Sequence, residues 1–270
     1  SEAYQVVPSP GLPPEAETQP ANNNLDVVVH NGRLYLAFRT APTHFASDQV
    51  RLHVVSTVDE RNWRHEATFH RFKDLREPRF LSFDGKLFLY FAVLGPVQFT
   101  FEPEGTLVTE LRGPGDYTEP AWIFGDDFIP WRTRVVDGVP YLVGYNGGAG
   151  IYTGDSSELE VHWLTSSDGL NWEPVVPGQP VVLTGGTSET DFAFADDGAV
   201  IAVSRNEEGD ETGWGMKVCR AEPGDLGNWN CISDPKKYDS PIVFNHGGRI
   251  YLIGRRHLSE DGNYDLFMRE

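Results

Sequence analysis

Short runs in which apolar residues alternate with polar ones, or follow one another without a break, recur along the chain in pairs. Each pair is joined by a glycine turn. Five pairs fall into register when their glycines are superposed: LDVVVHNGRLYLAFR around Gly32, PRFLSFDGKLFLYFA around Gly85, WRTRVVDGVPYLVGY around Gly138, DFAFADDGAVIAVSR around Gly198 and PIVFNHGGRIYLIGR around Gly248. Asn-Gly, Asp-Gly and Gly-Gly supply the positive φ angles of a two-residue hairpin loop, so each pair is predicted to be two antiparallel strands. A third β-rich run follows the hairpin, as at 50–56, 160–165 and 215–220. In three repeats an Asp-x-x-Asn-Trp element comes next: Asp59 to Trp63, Asp168 to Trp172 and Asp225 to Trp229.

The glycines lie 53, 53, 60 and 50 residues apart. A period near 50 with several strands per unit predicts an all-β fold, a five-bladed β-propeller. The five units account for nearly all of the 270 residues, so 1–270 reads as a single propeller domain with blades at roughly 21–72, 73–114, 130–180, 187–235 and 238–270. The last unit shows only three strands, while residues 3–7 form an isolated β-rich run. The N-terminal strand, 1–8, is therefore expected to complete and close the last blade, which would remove an exposed sheet edge.

In such a fold the first strand of each blade lines the central channel. Residues about seven before and seven after each turn glycine are then expected to share one mouth. Asn24 is expected opposite Arg39, with Asp26 two positions further in. The second repeat places Glu77 and Arg79 there, the third Arg132, Arg134 and Tyr145, the fourth Glu189, Asp191 and Arg205, and the fifth Asp239 and Arg255. The loop after Arg39 carries His44. The long 113–129 segment, with Glu119, is expected to roof part of the mouth. The glycine-rich stretch 145–152 precedes no helical pattern, so it does not read as a phosphate loop.

The formal net charge of −18 argues against nucleic acid and anionic membrane surfaces as partners. No apolar run is long enough for a membrane span. Among the 22 basic residues 17 are Arg, which suits planar, bidentate recognition of an anionic or heavily hydroxylated ligand, and suits equally a genome rich in Arg codons. Cys219 and Cys231 flank a Pro- and Gly-containing hairpin, and facing strands would bring them within disulfide reach; free buried thiols are the alternative. A bridge would indicate a secreted or periplasmic setting. No cofactor is indicated. Channel carboxylates are of the ligand type that suits Ca²⁺, yet no compact ligand string such as an EF-hand loop is present, and no metal site is assigned.

The Asp-x-x-Asn-Trp element, best seen as SSDGLNW, resembles the Asp-box turn of sialidase-like propellers and is read as structural. The chain resembles, more broadly, the five-bladed and sialidase-like propeller glycosidases. Arg76-Glu-Pro-Arg-Phe80 is similar to the Arg-Asp-Pro motif of family 32 and family 68 glycoside hydrolases, with Glu77 in place of Asp. Asp26 is similar in position to the carboxylate that serves those enzymes as base or nucleophile. Glu189, Asp191 and Arg205 resemble a late-blade Glu and Arg of sialidases, and Tyr145 resembles their nucleophile.

The resemblance implies a glycoside hydrolase acting through two carboxylates, with Asp26 and Glu189 preferred for the chemistry. Glu77 and Asp191 would orient substrate or tune acidity. Arg39, His44, Arg79, Glu119, Arg132, Arg134, Arg205, Asp239 and Arg255 would bind it. Two other readings stay open: a secreted propeller that binds a carbohydrate or small anionic ligand without turnover, and a structural protein whose Arg–carboxylate pairs hold blades together.

Overall fold

The computed structural model describes residues 3–125, 127–151, 155–258 and 263–270. Among the described residues, twenty-one strands make five sheets. The first has β1 (Ala21–His30), β2 (Arg33–Ala41), β3 (Arg51–Thr57) and β4 (Arg64–Phe69), in that order. The second has β5 (Asp74–Phe83), β6 (Lys86–Leu94), β7 (Pro103–Gly113) and β8 (Asp116–Tyr117), with β9 (Ala121–Phe124) also paired to β7. The third has β10 (Ile129–Val136), β11 (Val139–Asn146), β12 (Glu160–Ser166) and β13 (Trp172–Pro174), with β14 (Val181–Thr184) on β12. The fourth has β15 (Thr187–Phe194), β16 (Val200–Asn206), β17 (Lys217–Ala221) and β18 (Asn230–Ser233). The fifth has β19 (Tyr238–His246), β20 (Arg249–His257) and β21 (Tyr264–Arg269). Apart from β9 and β14, the strands of each sheet follow chain order, and the fold is the five-bladed β-propeller that the repeat predicts.

The chain packs as two compact units, Ser1–Pro140 with Ser166–Asn171, and Tyr141–Thr165 with Trp172–Glu270. In the first, Leu87, Leu89 and Phe91 of β6 are buried against Leu52, Val54, Phe80 and Leu107. Each such side chain contributes roughly 1.5–3 kcal/mol by leaving water. In the second, Ala193, Val203, Met216, Tyr238, Val243 and Leu252 form the corresponding cluster.

The hairpin chemistry is as expected in four repeats. Asn31 and Gly32, Asp84 and Gly85, Asp137 and Gly138, and Gly247 and Gly248 all have positive φ. The fourth repeat differs. Ala195 and Ala199 close a three-residue loop through the Ala195 N–H to Ala199 carbonyl bond at 2.8 Å. The extra residue displaces the register by one, so Asp191, rather than Phe192, occupies the place that Asp26 has in β1.

The Asp-x-x-Asn elements are tight turns between third and fourth strands. Asp59 Oδ1 accepts the backbone N–H groups of Arg61 and Asn62 at 2.9 and 2.8 Å, and Oδ2 accepts the Asn62 amide at 2.7 Å. Asp168 repeats this with Leu170 and Asn171. These donors hold both carboxyls far below the ordinary range, the Asn backbone N–H contributing most. The turns are structural.

Three expectations are corrected. Residues 3–20 contain no strand, and the fifth sheet has three strands among the described residues, so the N-terminal segment does not complete it. The segment instead lies on the first sheet, where Val6, Val7, Leu12 and Ala16 pack against Leu36, Phe38, Val55 and Trp63. The Trp63 N–H donates to the Gly11 carbonyl at 3.1 Å. Only glycine fits at position 11, because a Cβ there would sit 2.4 Å from the Arg61 carbonyl oxygen. The burial of an apolar segment, together with this backbone bond, outweighs the edge pairing inferred from strand counting. Second, Arg39 faces Asn23, since Asn24 is the extra residue of a β-bulge and has φ +45°. Third, the 113–129 segment is no free-standing roof, because it contributes β8 and β9 to the second sheet. In the 145–152 stretch, Gly148–Gly150 form a single 3₁₀ turn, and Tyr152 lies outside the described residues.

Candidate functional site

In the first unit, the openings of β1 and β5 carry a polar cluster. Bulges at Asn24 and Glu77, both with positive φ, turn these two side chains toward each other, and the Asn24 amide donates to Glu77 Oε1. Glu77 Oε2 also pairs with Arg79 Nη2 at 2.8 Å. The Arg79 guanidinium donates to the Trp131 carbonyl and stands 4.9 Å over the Trp131 ring. Asp26 Oδ2 accepts the Phe80 N–H at 2.7 Å, and its Oδ1 lies 3.8 Å from Arg132 Nη1. With 16% of its side chain exposed, Asp26 is pushed above the usual carboxylate range by burial, against the pull of Arg79, Arg132 and the Phe80 N–H.

Below this lies an ionic foundation. Fully buried Arg39 donates to buried Asp74 at 2.8 and 3.3 Å, and Arg76 donates to the same carboxylate at 2.6 Å. Arg39 also donates to the Thr43 and Phe45 carbonyls, and Arg76 to the His44 carbonyl, which fixes the 43–45 loop. His44 Nδ1 lies 2.7 Å from the Asn23 amide. Asp74 escapes a reading based on distance from the turn glycine. Its position at the start of a strand, two residues before an arginine, is the signal that marks it.

In the second unit, Arg205 of β16 is the hub. It pairs with Glu189 at 2.7 Å, Glu207 at 3.0 Å and Asp239 at 3.2 Å. Glu189 Oε2 also accepts the Ser240 N–H at 2.7 Å. Asp239 meets Arg255 at 3.3 Å, Lys237 at 3.8 Å and His257 Nε2. Burial pushes Asp239 up, but Arg205, the His257 hydrogen bond and Lys237 outweigh it and hold the carboxyl below the usual range. Glu207 is pushed up by burial, which the Arg205 charge and the Ser188 hydroxyl only partly offset. Asp191 is wholly buried, with its two oxygens on the Phe192 and Val243 N–H groups at 2.7 and 2.8 Å. Glu207, Lys237 and His257 were not anticipated. Each stands two residues along a strand or its extension from an anticipated residue, hence on the same face.

Tyr145 is buried on β11 and Arg134 is half-buried on β10. Glu119 joins neither cluster: its side chain is 90% exposed and 3.8 Å from Arg71. It borders a groove of about 690 Å³ between β4 and the β8 segment, with His65, His70 and Tyr117. Cys219 and Cys231 face each other across β17 and β18 and form a disulfide. Among the described residues, no group of three or more His, Cys, Asp or Glu is placed to hold a metal ion, and no helix is long and apolar enough to cross a membrane.

No family model and no curated protein matches the chain. Solved structures do. An endo-arabinase from Bacteroides thetaiotaomicron is 15% identical, with a TM-score of 0.59 over 91% of this chain and 92% of that one. A sialidase from Trypanosoma rangeli is 12% identical, with a TM-score of 0.65 over 92% of this chain and 47% of that one. A protein of unknown function from Dyadobacter fermentans is 17% identical, with a TM-score of 0.63 over 87% of this chain and 75% of that one. At these identities the likeness is one of fold, and the present chain shares its β-propeller fold with glycoside hydrolases.

Proposed function

We propose that the chain is a glycoside hydrolase-like enzyme acting on a carbohydrate. The observation that carries this reading is Asp26: a shielded carboxyl of raised pKa, flanked by Arg79 and Arg132, with Glu77 held next to Arg79. Glycoside hydrolysis needs carboxyl groups whose surroundings set their acidities apart. Asp26 is proposed as one carboxyl of the chemistry, its raised pKa suiting it to proton transfer, and Glu77 as the group that binds sugar hydroxyls. The guanidiniums of Arg39, Arg76 and Arg79 order the loops and carboxylates around an anionic or hydroxyl-rich ligand. A fold shared with an endo-arabinase and a sialidase supports a sugar as that ligand. The disulfide is compatible with a secreted or periplasmic setting.

One observation favours a second reading, a propeller without turnover. Asp26 and Asp191 both spend a carboxylate oxygen on a backbone N–H of another sheet, as structural residues do. Aryl glycosides of arabinose, fructose, sialic acid and uronic acids, together with arabinobiose, sucrose and sialyllactose, separate the two. Turnover by the wild type, abolished in Asp26→Asn and reduced in Glu77→Gln, is the expected result. Saturable binding without turnover overturns the enzyme in favour of the binding protein, and neither overturns both.

A further inference from the structure

We infer that Phe45 and Phe99 form an aromatic subsite that stacks on one sugar ring, beside the carboxylate cluster of the first unit. The inference rests on the carbohydrate reading above. The two rings lie 4.6 Å apart between centroids at an angle of 54°, and they are 46% and 74% exposed. Two exposed phenylalanines in mutual contact on loops form a small apolar surface of the kind that the face of a ligand ring covers.

Neither ring is there by slack. The backbone under Phe45 is tied to the buried ionic foundation: its own carbonyl accepts Arg39 Nη2 at 3.0 Å, and the His44 carbonyl accepts Arg76 Nη2 at 2.8 Å. Phe99 lies in a loop closed by the Gly95 N–H to Glu102 carbonyl bond at 2.8 Å, and it has φ +67°. A bulky residue in that left-handed conformation is disfavoured, and glycine or asparagine would satisfy it without cost. The fold thus holds a phenylalanine where the backbone disfavours one and the core gains nothing from it. The same exposure and positive φ recur at Phe72, which is 71% exposed with φ +56°, so what singles out Phe99 is its contact with Phe45 beside the polar groups of the first unit.

The surroundings select the occupant. The aromatic pair adjoins polar groups, with the His44 ring 6.3 Å from Phe45 and Asn23 on His44 Nδ1. A sugar ring matches this pairing, since its C–H face lies on an aromatic surface while its hydroxyls reach amide and imidazole groups.

The test uses arabinobiose, sucrose and sialyllactose as probes, with saturation-transfer NMR and calorimetric titration of the full chain. Phe99→Gly removes the ring while relaxing the backbone, so the variant is expected to fold at least as stably as wild type. Phe45→Ala serves as the second variant, and Phe72→Ala, at an exposed ring outside the pair, as control. The expected result is binding of a probe by the wild type, weakened about tenfold in Phe99→Gly and Phe45→Ala and unchanged in Phe72→Ala. Equal binding by wild type and both variants overturns the subsite and leaves the carbohydrate reading intact. Absence of binding of every probe to the wild type overturns both.

Discussion

Asp26 of β1 accepts the backbone N–H of Phe80 in β5 at 2.7 Å, so a carboxylate proposed for chemistry also ties the first sheet to the second. The same strand position does similar work elsewhere. In β5 it is Arg79, which donates to the Trp131 carbonyl of β10; in β15 it is Asp191, which accepts the Val243 N–H of β19 at 2.8 Å. Polar residues at the opening of an inner strand therefore join neighbouring sheets within each unit, and a functional role for any of them is added to that structural one.

The two roles of Asp26 separate by substitution. Asparagine keeps an oxygen for the Phe80 N–H and removes a charge that burial disfavours, so Asp26→Asn is expected to be as stable as wild type or more so at neutral pH. Alanine leaves the N–H unpaired and is expected to cost about 1–3 kcal/mol. Because the folded pKa of Asp26 is raised, the folded protein holds this proton more tightly. Stability from this residue thus declines as pH rises through the carboxylate range, and the gap between wild type and Asp26→Asn closes on acidification. Urea denaturation at pH 4 and pH 7 measures it. A less stable Asp26→Asn at pH 7 contradicts the argument.

The repeat, the hairpins, the Asp-x-x-Asn turns and the facing cysteines were legible because each depends on local chemistry: positive φ at Asn-Gly, an Asp oxygen over two N–H groups, side chains opposite across one hairpin. Candidates such as Asp26, Glu77 and Asp239 stood out because charged residues opening an inner strand violate the apolar pattern, and Arg205 because it closes the strand that follows one. What stayed hidden depends on packing or on a single inserted residue. The loop at 196–198 moves the fourth register by one, the bulge at Asn24 moves Arg39 opposite Asn23, and residues 3–20 choose the first sheet through contacts that strand counting does not see.

His53 makes folding of that N-terminal segment sensitive to pH. Its Nε2 faces the Glu17 carbonyl at 3.2 Å and so carries the proton, while Nδ1 lies 2.9 Å from the Thr68 hydroxyl. Burial lowers its pKa from 6.5 to about 4, only partly opposed by the Glu17 carbonyl. The unfolded chain therefore binds this proton first on acidification. The neutral form's contribution is complete above pH 6.5, is lost between there and pH 4, and amounts to no more than about 3 kcal/mol. His53→Gln is expected to flatten the stability profile in that window, and an unchanged slope contradicts the assignment.

The disulfide closes a short segment, with a sequence separation of 12 from Cys219 to Cys231. Restricting the unfolded chain over such a loop contributes about 2–3 kcal/mol. Reduction, or Cys219→Ser with Cys231→Ser, is expected to lower the urea midpoint by a matching amount without changing ligand binding. Equal midpoints with and without reductant contradict it.

Arg205 offers the sharpest test of the second unit. Its guanidinium is close to three carboxylates, Glu189, Glu207 and Asp239, all of them largely shielded from water. Removing the cation leaves three mutually repelling carboxylates in surroundings largely shielded from water. Arg205→Met is accordingly expected to cost about 3–5 kcal/mol at pH 7. The penalty shrinks on acidification, because protonating the carboxylates relieves the repulsion, and Glu207, already pushed up, takes the first proton. Glu207→Gln in the Arg205→Met background removes one of the three charges and is expected to recover part of the lost stability at pH 7. A double variant no more stable than Arg205→Met alone would show that the hub acts through packing rather than charge.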